Sequence, residues 1–173
     1  MRQSAWDDAM QIELTRGLSA TIDDCDFDLV RPYRWVAQCR VDRTYAYAIT
    51  HFVIDGVRKH ILMHRLLLGL TDRSVLVDHI DGDGLNNKRS NIRPCSHAEN
   101  MRNRKLHKHS ASGIKGVRFE KYGPCNYSKW RGYVRLNGKS TRKWFDSKEA
   151  AEAWCIATRK LMHGDFSYEE SRT

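Results

Sequence analysis

Short runs in which apolar and polar positions alternate, or β-branched residues cluster, open the chain at residues 19–23, 35–40 and 44–53. Asp-, Gly- and Pro-containing breaks separate them, and alternation of period two predicts half-buried strands. Asp55-Gly56 stands between two such runs, 51–54 and 57–62, and predicts a tight two-residue hairpin turn. Residues 63–70 are largely apolar and fit either a short helix or a buried strand end, which periodicity does not separate. Trp35, Tyr45, Tyr47 and Phe52 are expected in the core or as cross-strand pairs, because aromatics favour pleated, half-buried surfaces.

The pattern then changes. Residues 75–77 read as a buried strand running into Asp78-His79-Ile80-Asp81, and 82–90 (GDGLNNKRS) as a loop. Residues 91–93 predict a second strand, with Pro94 ending its ladder. Ser96 is placed to cap a helix through Asn103, with Glu99 completing a capping box. Residues 106–112 are small, polar and basic, as in a linker. Beyond them come three strand candidates, 115–121, 129–136 and 139–145, the last two joined at Asn137-Gly138. A helix over 147–163 follows, with Asp146 and Glu149 as its cap and Gly164 as its stop. Its expected apolar stripe is Ala150, Ala151, Trp154, Thr158 and Leu161. The predicted fold class is α+β. A β-rich supporting region (1–70), a strand–loop–strand–helix unit (71–105), a linker (106–112) and a three-stranded antiparallel sheet packed on one helix (113–173) follow in order.

Composition narrows the function. With 40% hydrophobic and 10% aromatic residues, the chain is too apolar for a disordered basic tail. Its best apolar stretch, 61–70, is interrupted by His64 and Arg65, so no membrane span is expected. The N-terminal MRQSAWDD lacks an apolar signal core, and a cytoplasmic location is expected. Five cysteines (Cys25, Cys39, Cys95, Cys125, Cys155) form no CxxC pair, which argues against a disulfide framework and a cysteine-based zinc site. The net charge of +9 is unevenly spread: residues 1–70 are neutral, 71–112 carry +3 and 113–173 carry +6. A polyanion-binding surface is therefore expected in the last hundred residues.

Candidate chemistry sits in the middle unit. Asp78 and Asn100 offer hard oxygens, and Mg²⁺ takes only one or two protein ligands while keeping water and phosphate oxygens. Neighbouring strand residues point to opposite sides, so aiming both Asp78 and His79 inward needs a bend. A neutral imidazole at His79 can take a proton from water near neutral pH. Asp81-Gly82-Asp83-Gly84 hints at an EF-hand, but Leu85 stands where the fifth-position oxygen belongs. His64 is expected as a buried residue fixing its own segment rather than a ligand. His97, His107 and His109 are expected at the solvated surface, and Asn86 and Asn87 as turn residues tolerant of left-handed backbone.

The run MHRLLLGL…VLVDHIDGDGLNNKRSNIRPCSHAENMRN, residues 63–103, resembles the HNH homing-endonuclease family in its phage and mobile-intron branch. The HRL segment, the DHIDG strand end, the LNN…SNI loop exit and the ENxxN helix fall in that family's order. The resemblance implies a ββα-metal nuclease in a phage or bacterial host cytoplasm, acting on double-stranded DNA. It implies His79 as general base, Asp78 and Asn100 as ligands for Mg²⁺ (or Mn²⁺), and Asn91 as the brace of the loop. Asn100 occupies the third position of the family's name, which favours exchangeable Mg²⁺ or Mn²⁺ over zinc.

In the C-terminal region Trp130, Gly132, Val134 and Leu136 share one strand face, and Arg131, Tyr133 and Arg135 the other. Arg118 joins the basic face, while Val117 and Phe119 point inward. On the last strand, alternation pairs Arg142 with Trp144, opposite Lys143 and Phe145, and a kink before the helix would exchange them. Residues 113–166 resemble the APETALA/ethylene-response-factor DNA-binding domain through SGIKGVR, WRGYVR and FDSKEAA. That likeness implies a sheet entering the major groove, with Arg118, Arg131, Arg135 and Lys143 as contacts. Tyr133 and Arg142 complete the candidate set. The insertion KYGPCNYSK and Arg142-Lys143-Trp144 depart from the plant pattern, so base preference does not carry over. The combined expectation is a homing-type DNA endonuclease of undetermined oligomeric state. Its rivals are a non-catalytic DNA-binding regulator on a relic nuclease fold and a nonspecific host-defence nuclease.

Overall fold

The computed structural model describes residues 9–39, 45–104, 106, 110–122 and 127–167. Expectations placed on MRQSAWDD, on Arg40 and Thr44, on His107 and His109 and on the centre of the KYGPCNYSK insertion lie outside them. The fold is mixed α+β, built from several small antiparallel sheets. It divides into two compact units, Met1–Asn100 and Met101–Thr173.

The first unit begins with a hairpin that the alternation pattern only half revealed. Strand β1 (Ala9–Glu13) pairs with β2 (Ser19–Asp23), so that Met10 faces Ile22 and Ile12 faces Ala20. A single helical turn, α1 (Phe27–Val30), comes next, then β3 (Val36–Cys39), β4 (Ala46–Ile54) and β5 (Val57–Leu62) in one sheet of order β3-β4-β5. Asp55 and Gly56 turn the β4–β5 hairpin with φ of 50° and 73°, the doubly left-handed turn that matches strand twist. The apolar stretch after it is a helix, α2 (Met63–Leu67). Ala20, Ile22, Val30, Trp35, Ala48, Met63, Leu67 and Ile92 form the core. Trp35 is anchored there by donating its indole N–H to the Val30 carbonyl at 2.9 Å, because a buried indole needs an acceptor.

Strand β6 (Leu76–His79) pairs with β7 (Ile92–Cys95), and α3 (His97–Asn103) follows. Pro94 does not end the ladder. It sits within it opposite Val77, tolerated because a two-stranded sheet leaves edge positions that need no N–H. The predicted cap of α3 is present as a reciprocal pair, with Ser96 donating from its backbone and hydroxyl to Glu99 at 2.8 and 2.7 Å.

In the second unit β8 (Val117–Tyr122), β9 (Tyr127–Leu136) and β10 (Lys139–Phe145) form a sheet of order β10-β9-β8, and α4 (Lys148–His163) packs on one face. Ile114, Val117, Val134, Ala151 and Cys155 make its core, flanked by Trp130, Phe145, Trp154 and Met162. Gly132 permits this contact: a Cβ built there would stand 2.8 Å from the Trp154 ring. Three local expectations are corrected. Ser147, not Asp146, caps α4 by accepting from the Ala150 N–H at 3.2 Å, while Asp146 pairs with Lys129 at 2.8 Å. The buried line of α4 is Ala151, Cys155 and Arg159, and Leu161 is 87% exposed. Arg159 substitutes for an apolar residue by donating its guanidinium to the Lys115 carbonyl at 2.6 Å. Phe119 lies on the inward-facing side beside Trp130 (centroids 4.9 Å apart), yet it is 58% exposed.

Candidate functional site

Asp78 and His79 are the last two residues of β6, both buried, and both lie within regular pairing: Asp78 opposite Arg93, His79 opposite Ile92. The two side chains therefore leave the strand on opposite sides and meet different neighbours. Asp78 meets Arg93, whose Nε and Nη2 donate to its Oδ2 at 3.0 and 2.8 Å. His79 enters a cluster of rings. Its centroid lies 5.0 Å from His64 of α2 and 5.8 Å from Tyr47 of β4, and Tyr47 and His64 are 5.7 Å apart. Its Nε2 faces Asn87 Oδ1 across a long contact of 3.5 Å.

The loop between β6 and β7 is held rigidly by its own polar side chains. Asn91 donates from Nδ2 to Asp81 Oδ1 (2.9 Å) and to the Asn86 carbonyl (2.8 Å), and accepts from the Asp81 N–H at 3.0 Å. These three bonds tie the two ends of the loop together. The loop is also pinned to β2: the Thr21 N–H donates to the Leu85 carbonyl and the Asn87 N–H to the Thr21 carbonyl. Arg89 adds a fork onto the Asp26 carboxylate at 2.7–3.1 Å and a backbone N–H onto Asp23. Asn86 and Asn87 are not left-handed turn residues. Asn87 is fully buried, its Nδ2 donating to the Leu85 carbonyl while Oδ1 faces the imidazole.

Burial sets the protonation of the rings. His64 is pushed down to about 3 by desolvation, aided by His79 and Arg65. Desolvation also lowers His79, although Asn87 and the charges of Asp81, Asp78 and Asp83 pull the other way. Both imidazoles are neutral at neutral pH. As expected, His64 is a buried residue, and its neighbour Arg65 ties α2 to the stretch before β6 by donating to the carbonyls of Val75 (2.7 Å) and Asp72 (2.5 Å).

Asn100 lies in α3, half-buried, and its backbone hydrogen-bonds the Cys95 thiol. Burial and the charges of Asp78 and Glu99 push that thiol up to about 11. Cys95 therefore stays protonated, and Asp78 and Asn100 offer oxygen rather than sulfur. This donor set suits a hard divalent cation better than zinc.

The remaining predicted residues are on the second unit's sheet. Arg118, Arg131 and Trp144 lie abreast, Tyr133 pairs with Arg142, and Arg135 pairs with Ser140, so these side chains share one face. Alternation runs unbroken through β10. Lys143 pairs with Gly132 and lies over the Phe145 ring, on the opposite face from the other five candidates. Tyr133 carries the guanidinium groups of Arg118 and Arg131 at 5.7 and 5.8 Å. Sequence reasoning passed over Glu120, which reaches Arg131 at 2.9 Å and Arg118 at 4.0 Å. Its place two residues after Arg118 was the available signal. Arg135 and Arg142 are exposed and make no ion pair among the described residues.

The strand–loop–strand–helix unit thus carries a buried, neutral histidine beside a loop tied by its own polar side chains. Residues 57–102 match the model of a family described as HNH endonuclease. Over 112 residues the chain is 35% identical to Protein 3.8 of Escherichia phage T7, covering 64% of this chain and 88% of that protein. The chain belongs to the HNH endonuclease family and carries its nuclease domain. No solved structure matches it. Among the described residues, no helix is long and apolar enough to cross a membrane.

Proposed function

We propose that this protein is a metal-dependent, homing-type endonuclease that hydrolyses a phosphodiester of double-stranded DNA. The observation that carries the reading is the state of His79, a buried, neutral imidazole with Nε2 turned to a fixed amide oxygen. With Nε2 donating to Asn87, the ring's lone pair is on Nδ1, the atom that takes the proton from water. Asp78 and Asn100 would hold Mg²⁺ or Mn²⁺, which supplies charge stabilisation at the scissile phosphate when bound. Arg93 fixes the Asp78 carboxylate, and Asn91 keeps the loop carrying Asn87 from shifting.

The second unit acts as an ERF-like reader in this proposal. Arg118, Arg131, Tyr133, Arg135 and Arg142 would meet DNA from one sheet face, with Trp144 beside them, since a β-sheet edge or ribbon fits the major groove. Lys143 drops out of the contact set because of its face. Plasmid cleavage in Mg²⁺, with and without EDTA, tests the nuclease. His79→Ala should cut at least about 10³-fold more slowly than wild type, within the range for loss of a general base. Cleavage by His79→Ala at the wild-type rate would remove the catalytic reading and leave the DNA-binding regulator. Sequencing the cut ends separates a site-specific enzyme from a nonspecific one.

A further inference from the structure

Tyr47 lies outside the segment that matches the family, yet it is part of the histidine's surroundings. Its ring is tilted against His79 at 47° and meets His64 edge-on at 76°, while His64 meets His79 edge-on at 81°. The three rings come from β4, α2 and β6, so no local turn brings them together. Close against the Tyr47 ring is the bare backbone of Gly84, from the loop that also carries Asn87. A Cβ at position 84 would stand 2.6 Å from Tyr47 Cε1 and 2.7 Å from Cδ1, and would strike the Ala46 carbonyl as well. The tyrosine is therefore gripped from the loop side and has little room to turn.

An imidazole has two soft torsions, and its contact to Asn87 is long at 3.5 Å. The Tyr47 and His64 rings add contacts that restrict how it turns. We propose that Tyr47, backed by Gly84 and squared by His64, is a positioning residue that holds the His79 ring in the orientation from which Nε2 faces Asn87. The inference rests on His79 being the general base. It assigns to the N-terminal sheet a part in catalysis, beyond supporting the nuclease motif. The ring, not the hydroxyl, does this, so phenylalanine should serve as well as tyrosine.

The test uses the full chain and single-turnover cleavage of supercoiled plasmid in Mg²⁺, with DNA affinity measured separately without metal. Tyr47→Ala should slow the cleavage step by about 10- to 100-fold with DNA affinity unchanged, the scale of loss expected from a misoriented catalytic group. Tyr47→Phe should restore the rate to within about 2-fold, since it keeps the flat ring. Tyr47→Leu keeps apolar volume without flatness and should stay slow, which covers the case in which the alanine variant does not fold. Nitrogen-15 NMR of the DNA-free protein reads the ring directly: one Nε2–H tautomer in wild type and Tyr47→Phe, averaged signals in Tyr47→Leu. Wild-type cleavage by Tyr47→Leu, or an unchanged single tautomer in it, would overturn the inference. An inactive wild type would overturn the base assignment instead, and the NMR comparison would still decide whether Tyr47 fixes the ring.

Discussion

Two regions of this chain use arginine, carboxylate and aromatic side chains to opposite ends. Around β6 and β7 they are withdrawn from water: in the Arg93–Asp78 pair the side chains are 16% and 5% exposed. On the C-terminal sheet the matching pair, Arg131–Glu120, is 21% and 31% exposed, and Arg135 and Arg142 beside it stand in solvent. In the first region individual atoms decide the outcome, because a lost partner leaves a charge in a low-dielectric setting. In the second the outcome is a sum over charges screened by water and salt. Under the proposed function, chemistry would require the first arrangement, and groove binding would tolerate the second.

The largest expected difference follows from breaking each pair in turn. Arg93→Ala strands the Asp78 carboxylate and should cost the first unit about 3–5 kcal/mol in urea unfolding. Arg131→Ala should cost the second unit no more than about 1 kcal/mol. Equal losses would mean that the two carboxylates are equally solvated and that the contrast is false.

Acid should separate the regions next. His64 binds a proton near pH 6.5 when unfolded but only near 3 when folded. Its contribution is thus complete above about pH 6.5 and fades as the pH falls towards 3, at up to about 1.4 kcal/mol per pH unit. By pH 4 the first unit should have lost about 3 kcal/mol from this residue, less in His64→Phe, while the second unit, where among the described residues burial lowers only His163 and less far, should lose less. His79 is lowered too, so the acid limb of cleavage should fall below pH 6.5, the ordinary imidazole value.

The contrast also explains what was legible in the sequence. Spaced motifs single out Asp78, His79, Asn91 and Asn100 as candidates, and the hairpins at Asp55-Gly56 and Asn137-Gly138 were legible because turn backbone demands those residues. Partners distant in sequence were not legible. Nothing in a period or a motif places Tyr47 against His79, Arg89 on Asp26, or Thr21 beside Leu85 and Asn87. Asn87 looked like a turn residue because its neighbours are loop-forming, and only burial turned its amide towards the imidazole. The alternation of β10 was read correctly, yet the absence of a kink, which puts Lys143 on the far face, is decided by its pairing with β9.

Smaller effects lie on the sheet. If the face of Arg118, Arg131, Arg135 and Arg142 meets DNA, neutralising Arg135 or Arg142 should each flatten the salt dependence of binding by about one unit of slope. Lys143→Ala, on the opposite face, should leave the slope unchanged. A loss of slope at Lys143 with none at Arg142 would turn the sheet over.

Glu120 provides the smallest and most diagnostic change. It is a carboxylate on the basic face, and it holds Arg131 at 2.9 Å and stands 4.0 Å from Arg118. Each guanidinium must give up part of that pairing, or share it, before it meets a phosphate. Removing the charge frees both arginines and deletes a repulsion against DNA, whereas the surface pair it sacrifices contributes only about 0–1 kcal/mol to stability. Glu120→Gln should therefore tighten DNA binding by about 2- to 5-fold and steepen its salt slope by up to about one unit. The same loss of charge would have the opposite sign in the first unit, where Asp78→Asn removes the anion that Arg93 pairs with and, under the proposed function, a ligand of the cation. Tighter binding from one carboxylate and lost function from the other would follow from a single distinction, whether water reaches the group. Weaker binding by Glu120→Gln would mean that Glu120 orients Arg131 for contact, and the exposed face would then be as finely built as the buried one.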